Sequence, residues 1–392
     1  MLRIVGKFLR QNWWGSHADM LLSPAVGWAL LSTHIGQTLV FTSYDSLFWY
    51  RPVKRPADVV MVYLDEASYR ILQQPLNAPW DRSLHAKLLD RLTAEGARAV
   101  VFDIVFSDPG PTPEADALFA QAIRDNGRVV LAADNVPADY GMGGMVKMSQ
   151  LFLPYEPFAE ASAAIGLAEI RPDDDGVIRL HLPESSDDPF PSLAWATAEF
   201  LKADTAADAS ARFQERWVNY YGPNQTLRSV SLYQVIEEDH TITKGWFKDK
   251  VVFVGAGRFT KKWNERKDDF PTPFAEQTGG GKFMSGVEIQ ATLFLNLSRQ
   301  DWLNRLPRSV EMNLILAAGI VFGLGLLSCR PLLAFFFALL GITVMAYGSY
   351  YLFVAHRYWL PWLIVAVAQI PEPLVGCLVY NSYKYYLEKR MV

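Results

Sequence analysis

Asp65, Asp103, Asp108 and Asp134 each stand in or just after an apolar run, in "VVMVYLDE", "AVVFDIVFSDPG" and "RVVLAAD". Such β-branched and aromatic runs read as buried strands, and a carboxylate in or beside one needs a physical reason. Clustered acids could hold magnesium or calcium, cradle a ligand, or cap helix N-termini and turns. In an open α/β sheet, ligands collect at the carboxyl ends of the strands. That edge would also carry the Gly255-Ala256-Gly257 turn closing "KDKVVFVGAG", and Arg82 in the "PWDRS" connection. The candidate ligand-binding residues are therefore Asp65, Arg82, Asp103, Asp108, Asp134, Gly255 and Gly257, with no catalytic residue and no metal ligand assigned. Capping remains the bland alternative for every one of these acids.

Other patterns fall short of a site. The glycine turn lacks the third glycine of a dinucleotide fingerprint. His85, His181 and His240 are scattered, and the stretch that holds them has no cysteine, so no zinc pattern forms. Asp173-Asp174-Asp175 reads as a polar hairpin tip more economically than as a calcium loop.

Positioning these residues requires an α/β core. Strand "VVMVYL" is followed by helix "LHAKLLDRLTAEG", with Leu84, Leu88 and Leu92 on one face and Gly96 as the stop. Strand "AVVFDIV", helix "EADALFAQAIRDNG" and strand "RVVLAAD" repeat the design. Short links between alternating strands and helices imply right-handed crossovers and a parallel sheet. Beyond it, "AIGLAEIRPDDDGVIRLHL" reads as a hairpin through Asp175-Gly176, "SLAWATAEFL" as a helix, "RWVNYYG" as a strand and "SGVEIQATLFLNL" as an amphipathic helix.

The 392 residues are 51% hydrophobic, high for a water-soluble protein, and the excess is localised. Residues 310–328, 332–354 and 359–380 read as transmembrane helices, and residues 20–44 as an uncleaved signal anchor. His34 and Gln37 in that first span are costly in lipid and are expected to hydrogen-bond to a neighbouring helix. Tyr380, Tyr383, Tyr385 and Tyr386 read as an interfacial aromatic belt. Arg3, Lys7, Arg10, Arg330, Lys384, Lys389 and Arg390 fall where cytoplasmic segments would lie. The expected plan is a cytoplasmic segment over 1–19, four spans, an outer domain over 50–308 and a cytoplasmic tail over 381–392. The net charge of −4, without a basic stripe, excludes nucleic acid as a partner. Fold class is thus α/β, with an extracytoplasmic mixed, partly parallel sheet, covering helices and four transmembrane α-helices.

The ordered strings "VVMVYLDEASYRIL", "PWDRSLHAKLLDRLTAEGARAVVFDIVFSDPGP", "AIGLAEIRPDDDGVIRLHLP", "YYGP", "FKDKVVFVGAG", "TPF" and "SGVEIQATLFLNL", followed by three spans, resemble the type-two CHASE domain, an extracytoplasmic sensory module of bacterial receptors. The resemblance implies an inner-membrane sensor, without enzymatic activity of its own, that relays a ligand or stress signal inward. It places Asp103 in a strand-end signature of the sensor fold and not in a catalytic centre. It names no ligand and no cofactor. The implied partners are the lipid bilayer and a cytoplasmic cyclase or kinase output, in an oligomer. Two departures are the long "RFTKKWNERKDDFP" link and the "EQTGGGKFM" loop. Because the chain stops shortly after the last span, an accessory or scaffold subunit of a larger membrane complex is the first alternative. A metal-dependent periplasmic hydrolase is the second.

Overall fold

The computed structural model describes residues 21–75, 78–138, 148–181, 184, 188–237, 242–257, 269–274 and 283–391. Arg3, Lys7, Arg10, His240 and most of the two departing loops lie outside the described residues. The chain divides into two compact units: Pro52–Trp302, and the flanking residues through Arg51 and from Leu303.

The flanking unit opens with α1 (Leu21–Ser32) and α2 (His34–Trp49). The expected first span over 20–44 is therefore not one helix. Thr33 between them is extended, at φ −122° and ψ 156°, and its Oγ1 donates to Ala29 O at 2.6 Å. A hydroxyl that back-bonds the preceding turn competes with the helical ladder. Gly36 lies so close to the Leu30 backbone that a Cβ would sit 1.9 Å from Leu30 O, which only glycine allows. His34 Nδ1 and Gln37 Oε1 meet at 3.0 Å within α2, an exposed pair along one helix.

In Pro52–Trp302, β1 (Val59–Leu64), β2 (Ala99–Val105), β3 (Val129–Ala138), β4 (Met148–Phe152), β5 (Ala164–Leu167), β6 (Leu180–His181), β7 (Arg216–Trp217), β8 (Arg228–Ser231), β9 (Val251–Ala256), β10 (Asp269–Pro271) and β11 (Phe283–Ser285) follow one another. Helices α3 (Glu66–Ile71), α4 (Arg82–Ala94), α5 (Pro113–Asn126), α6 (Glu156–Ala161), α7 (Leu193–Phe200), α8 (Leu232–Ile236) and α9 (Gly286–Arg299) lie between and after them. The main sheet runs β4-β3-β2-β9-β1-β8, with β5 also on β3. Every pairing in it is parallel except β3 with β4. The fold is thus mixed α/β with a mostly parallel sheet. β9 occupies the centre, between β1 and β2.

Alternation along the strands sorts the two faces. Val60, Val62, Val100, Phe102, Leu131, Val252 and Val254 join one core cluster with Leu88, Leu89 and Leu92 of α4, Phe119 and Ile123 of α5 and Phe158 of α6. On the opposite face α9 packs, with Phe294 5.7 Å from Phe253 and Val287 against Gly255. α9 is buried on all sides from Gly286 to Leu297, so the expected amphipathic helix is instead internal. Its polar residues are partly matched inside: Asn296 Oδ1 accepts from Asn219 N at 2.8 Å and Gln290 Nε2 donates to Ala168 O at 2.9 Å, while Glu288 Oε1 and Gln290 Oε1 have no hydrogen-bond partner.

The expected hairpin over 164–182 does not form as a strand pair. β5 joins β3, and β6 pairs with β7. Only its tip is a tight turn, with Asp173 N donating to Val177 O at 2.9 Å. The expected strand "RWVNYYG" shrinks to the two residues of β7.

In the flanking unit, β12 (Asn304–Arg305) pairs in parallel with β13 (Tyr358–Trp359). Helices α10 (Arg308–Leu327), α11 (Pro331–Tyr351) and α12 (Pro371–Met391) complete the described chain. Among the described residues three helices are long and apolar enough to cross a membrane, Arg308–Leu327, Pro331–His356 and Ile364–Arg390, and α1 is a shorter apolar helix. Phe335, Phe336, Phe337, Leu339 and Leu340 of α11 are exposed, as suits side chains meeting lipid. Ser23 and Ile315 carbonyls both accept from Gln369 Nε2, at 3.1 and 3.0 Å, tying α1 and α10 to the π-helical turn over Ile364–Gln369.

Candidate functional site

A cleft of about 630 Å³ opens at the carboxyl ends of β1, β2, β3 and β9. Its volume is that of an ordinary small-molecule site. Of the sequence candidates, Arg82, Asp103, Asp108 and Asp134 line it together.

Local structure places each one. Asp103 pairs with Gly255 of β9, but on its other side the β2–β3 register slips between Phe102 and Val105. Such a bulge re-aims side chains near a strand end. Asp134 stands where β3 changes neighbours, from β5 over Val130–Ala133 to β4 from Asp134 onward. A sheet edge where partners part leaves room for a ligand. Asp108 is exposed in the loop after β2, and its Oδ2 accepts from Ser107 Oγ at 2.9 Å.

Arg82 comes from the first turn of α4, whose N-cap Asp81 accepts from Ser83 N at 2.9 Å. Its side chain is only 5% exposed, its guanidinium carbon lies 4.6 Å over the Phe106 ring, and its Nε has no hydrogen-bond partner. Burial lowers the proton affinity of Arg82, and the Asp116 and Asp108 charges only partly oppose it. Asp116 is itself occupied, accepting from Gly110 N through both oxygens at 3.1 and 2.9 Å.

Two further cleft residues escaped sequence reasoning as site residues, Trp80 and His85. Both are buried; Trp80 Nε1 has no hydrogen-bond partner, and the His85 ring meets the Asp81 backbone carbonyl. Burial, followed by the Arg82 charge, pushes the His85 pKa down to about 3, so this imidazole is neutral. It packs 5.2 Å from Phe106 and 5.5 Å from Phe119. These buried polar groups, all from residues 80–85, gather where α4 begins, and each residue contributes to the cleft lining. The available signal was the spacing in "WDRSLH": Arg82 and His85 are three apart and share the inward face of α4.

The remaining candidates are corrected. Asp65 does not line the cleft; it is the N-cap of α3, accepting from Ser68 N at 2.9 Å and Ser68 Oγ at 2.7 Å, and from Ser231 Oγ. Gly255 and Gly257 also lie off it. A Cβ on Gly255 would come 2.7 Å from Val287 Cβ, and one on Gly257 2.9 Å from Tyr63 Cβ, so both glycines serve close packing. Asp173 and Asp175 grip Arg179, which is 1% exposed, at 3.0 Å and 2.7 Å, and so act as its counter-ions.

Among the described residues no group of three or more His, Cys, Asp or Glu side chains converges to hold a metal ion. His181 Nε2 lies 3.1 Å from Ser192 Oγ, yet that oxygen caps α7 by accepting from Trp195 N at 3.3 Å. Glu184 Oε1 is committed to the same cap, accepting from Ser192 N at 2.7 Å. Burial and then the Arg216 charge lower the His181 pKa to about 4. The pair is a capping arrangement rather than a nucleophile and base.

The residues that build the mostly parallel sheet, the internal α9 and the apolar helices on either side in sequence fall within one family match. The CHASE2 domain model covers residues 21–326, from the start of α1 to the end of α10. The chain belongs to the CHASE2 domain family. No curated protein and no solved structure matches it. CHASE2 domains are sensory extracellular modules, and the described CHASE2 unit carries its cleft away from the spans in sequence, on residues 64–287.

Proposed function

We propose that this CHASE2 chain is the input module of a bacterial inner-membrane signalling system, and that the cleft at the strand ends is where it binds a small extracytoplasmic ligand. The observation that carries the reading is the ligand-sized cleft at the strand ends, whose lining includes the buried, charged Arg82 together with Asp103, Asp108 and Asp134. Charged groups lining a cleft of that size mark a candidate binding site.

The segment formed by α1 and α2 is the fourth membrane crossing, both termini are cytoplasmic, and the module itself has no enzymatic activity. The output is a cytoplasmic cyclase or kinase, and the assembly is an oligomer. Relay runs from α9 through residues 300–307 into α10. Arg305 supports it, since its guanidinium holds Glu311 at 2.9 and 3.0 Å and lies 4.9 Å over Trp359. Those contacts fix the start of the flanking unit on α10, and a fixed segment transmits displacement better than a slack one.

The test is a chimera in which Met391 is joined to a cytoplasmic adenylate cyclase catalytic domain, with cyclic AMP measured in cells. Filling the cleft mouth by Val136→Trp, at an exposed cleft residue, should change the output. Unchanged cyclic AMP in a chimera that is expressed and inserted would rule out the cleft as the sensing site.

A further inference from the structure

Four arginines from three separate stretches meet at one end of the helices of the flanking unit. Arg51 follows α2, Arg305 and Arg308 lead into α10, and Arg357 stands between α11 and the last apolar helix. The Arg51 guanidinium lies 5.1 Å over the Phe353 ring, and Arg357 N donates to Phe353 O at 3.2 Å. Asn304 N donates to Arg357 O at 2.8 Å, beside the β12–β13 pair that sets Arg305 opposite Trp359. Arg308 stands one turn before Glu311, the residue that Arg305 grips.

The charge at this end is not balanced by the chain around it. Along the adjoining helices and links of the flanking unit the acids are Asp45 and Glu311, and Glu311 is 1% exposed and already held by Arg305. This is also the end from which the chain enters and leaves Pro52–Trp302. Basic residues are ordinarily sparse in the short segments that flank spans on the translocated side, so four arginines here need a reason. Arg308 and Arg357 are exposed, and so are Val310 and Val354 within three residues of them, which puts the charges at the boundary of the apolar surface. Exposed Tyr50, Tyr351 and Tyr358 share the same end, as amphipathic rings at a headgroup layer do.

We propose that this arginine collar binds the headgroup of an anionic phospholipid on the domain side of the membrane. The lipid phosphate is held by Arg51, Arg308 and Arg357, whose planar forks can each donate two parallel bonds to it. Its acyl chains run along the apolar surface that begins at Val310 and Val354. Arg305 keeps Glu311 and so removes the nearest carboxylate from the headgroup. The excess of positive charge favours an anionic headgroup over a zwitterionic one, whose own cation the collar would repel. Lipid binding here needs no ligand in the cleft.

The experiment uses the full chain in mild detergent, mixed with equal amounts of phosphatidylglycerol and phosphatidylcholine of matched acyl chains, and native mass spectrometry to read the lipids retained. Phosphatidylglycerol should be retained about tenfold over phosphatidylcholine. The triple variant Arg51→Gln, Arg308→Gln, Arg357→Gln should lower that preference to about twofold or less. The control triple Lys384→Gln, Lys389→Gln, Arg390→Gln, in the last turns of α12, should leave it unchanged. Arg308→Gln alone, at an exposed position, should lower it about threefold, which keeps the test open if the collar triple does not fold. A chain that retains both lipids equally would overturn the collar as an anionic site. A preference that survives the collar triple and disappears with the control triple would move the lipid to the end of α12 and equally overturn it. Glycerol 3-phosphate that displaces phosphatidylglycerol at matched concentration would show a site for a free phosphate ester instead of a lipid.

Discussion

Arg82→Met should stabilise the ligand-free protein. The unpartnered Nε of a 5% exposed guanidinium forfeits a charge-assisted hydrogen bond, a deficit of about 1 to 3 kcal/mol. Methionine removes the charge and keeps an unbranched apolar stem beside Phe106, at the loss of a cation–π contact worth about 0.5 to 2 kcal/mol. The sign is set by the whole environment: burial depresses the proton affinity of Arg82 despite Asp116 and Asp108, so the fold as it stands disfavours the cation. Asp116 does not become stranded, because it keeps both contacts to Gly110 N and sits in the first turn of α5. The net gain is about 1 kcal/mol, or a rise of about 2 to 4 °C in the Tm of a domain this size. Differential scanning fluorimetry of the two proteins side by side would measure it. A fall of about 1 kcal/mol or more would refute the reasoning, since Arg82 would then be holding the fold together and its missing partner would say nothing about a ligand.

Three other outcomes are expected. Asp65→Ala should lower stability by about 1 to 2 kcal/mol, through loss of the α3 cap and of the Ser231 bond, while leaving ligand binding at the cleft unchanged; a thermal melt with and without ligand separates the two effects. Stability should also fall with acidification. The unfolded chain protonates His85 and His181 near 6.5, whereas the folded one resists until about 3 and about 4, so stability present above pH 6.5 is lost as pH falls toward those values, at about 1.4 kcal/mol per pH unit for each histidine. The raised pKa values of buried Glu288 and half-buried Glu184 act in the opposite sense, so the diagnostic is the difference between the chain and its His181→Gln variant in urea titrations at about pH 7 and about pH 5. Inserting a Gly-Ser segment between Asn304 and Arg305 should uncouple the cyclase chimera while insertion and folding persist; a chimera that responds to Val136→Trp as before would show that this link transmits nothing.

Much of the fold was legible because it is local. The periods of α4, α5 and α7, the runs of β1, β2, β3 and β9 and the three long apolar helices are written in consecutive residues. What failed depends on partners far along the chain. Nothing in "KDKVVFVGAG" says that it enters between β1 and β2, and nothing in "AIGLAEIRPDDDGVIRLHL" says that its halves pair with β3 and β7 instead of each other. α9 looked amphipathic because it carries polar groups that are buried, Asn296 and Gln290 among them, and these meet Asn219 and Ala168, residues a local pattern does not connect to it. The first span looked continuous because hydropathy does not register the Thr33 hydroxyl or the contact of Gly36 with Leu30.

The candidate site shows the same division at the level of single residues. Asp65 and Asp134 carry one signature, an acid closing an apolar strand, yet Asp65 is bound by Ser68 and by Ser231 from a distant strand, whereas Asp134 opens into the cleft. A strand-end acid is therefore ambiguous until its neighbours are known. The residue that resolves the ambiguity is not an acid and not on a strand. Arg82 is drawn inward by the same α4 face that buries His85, Leu88 and Leu89, and its burial follows from the helix period while its want of a partner does not. A helix that needed only to cover the sheet would carry a leucine or methionine there. Holding a guanidinium in that position is expected to lower the stability of the fold, which is what the Arg82→Met comparison measures. If Arg82 proves destabilising, the cost must be offset by something other than packing, because the helix period alone would be served by an apolar side chain.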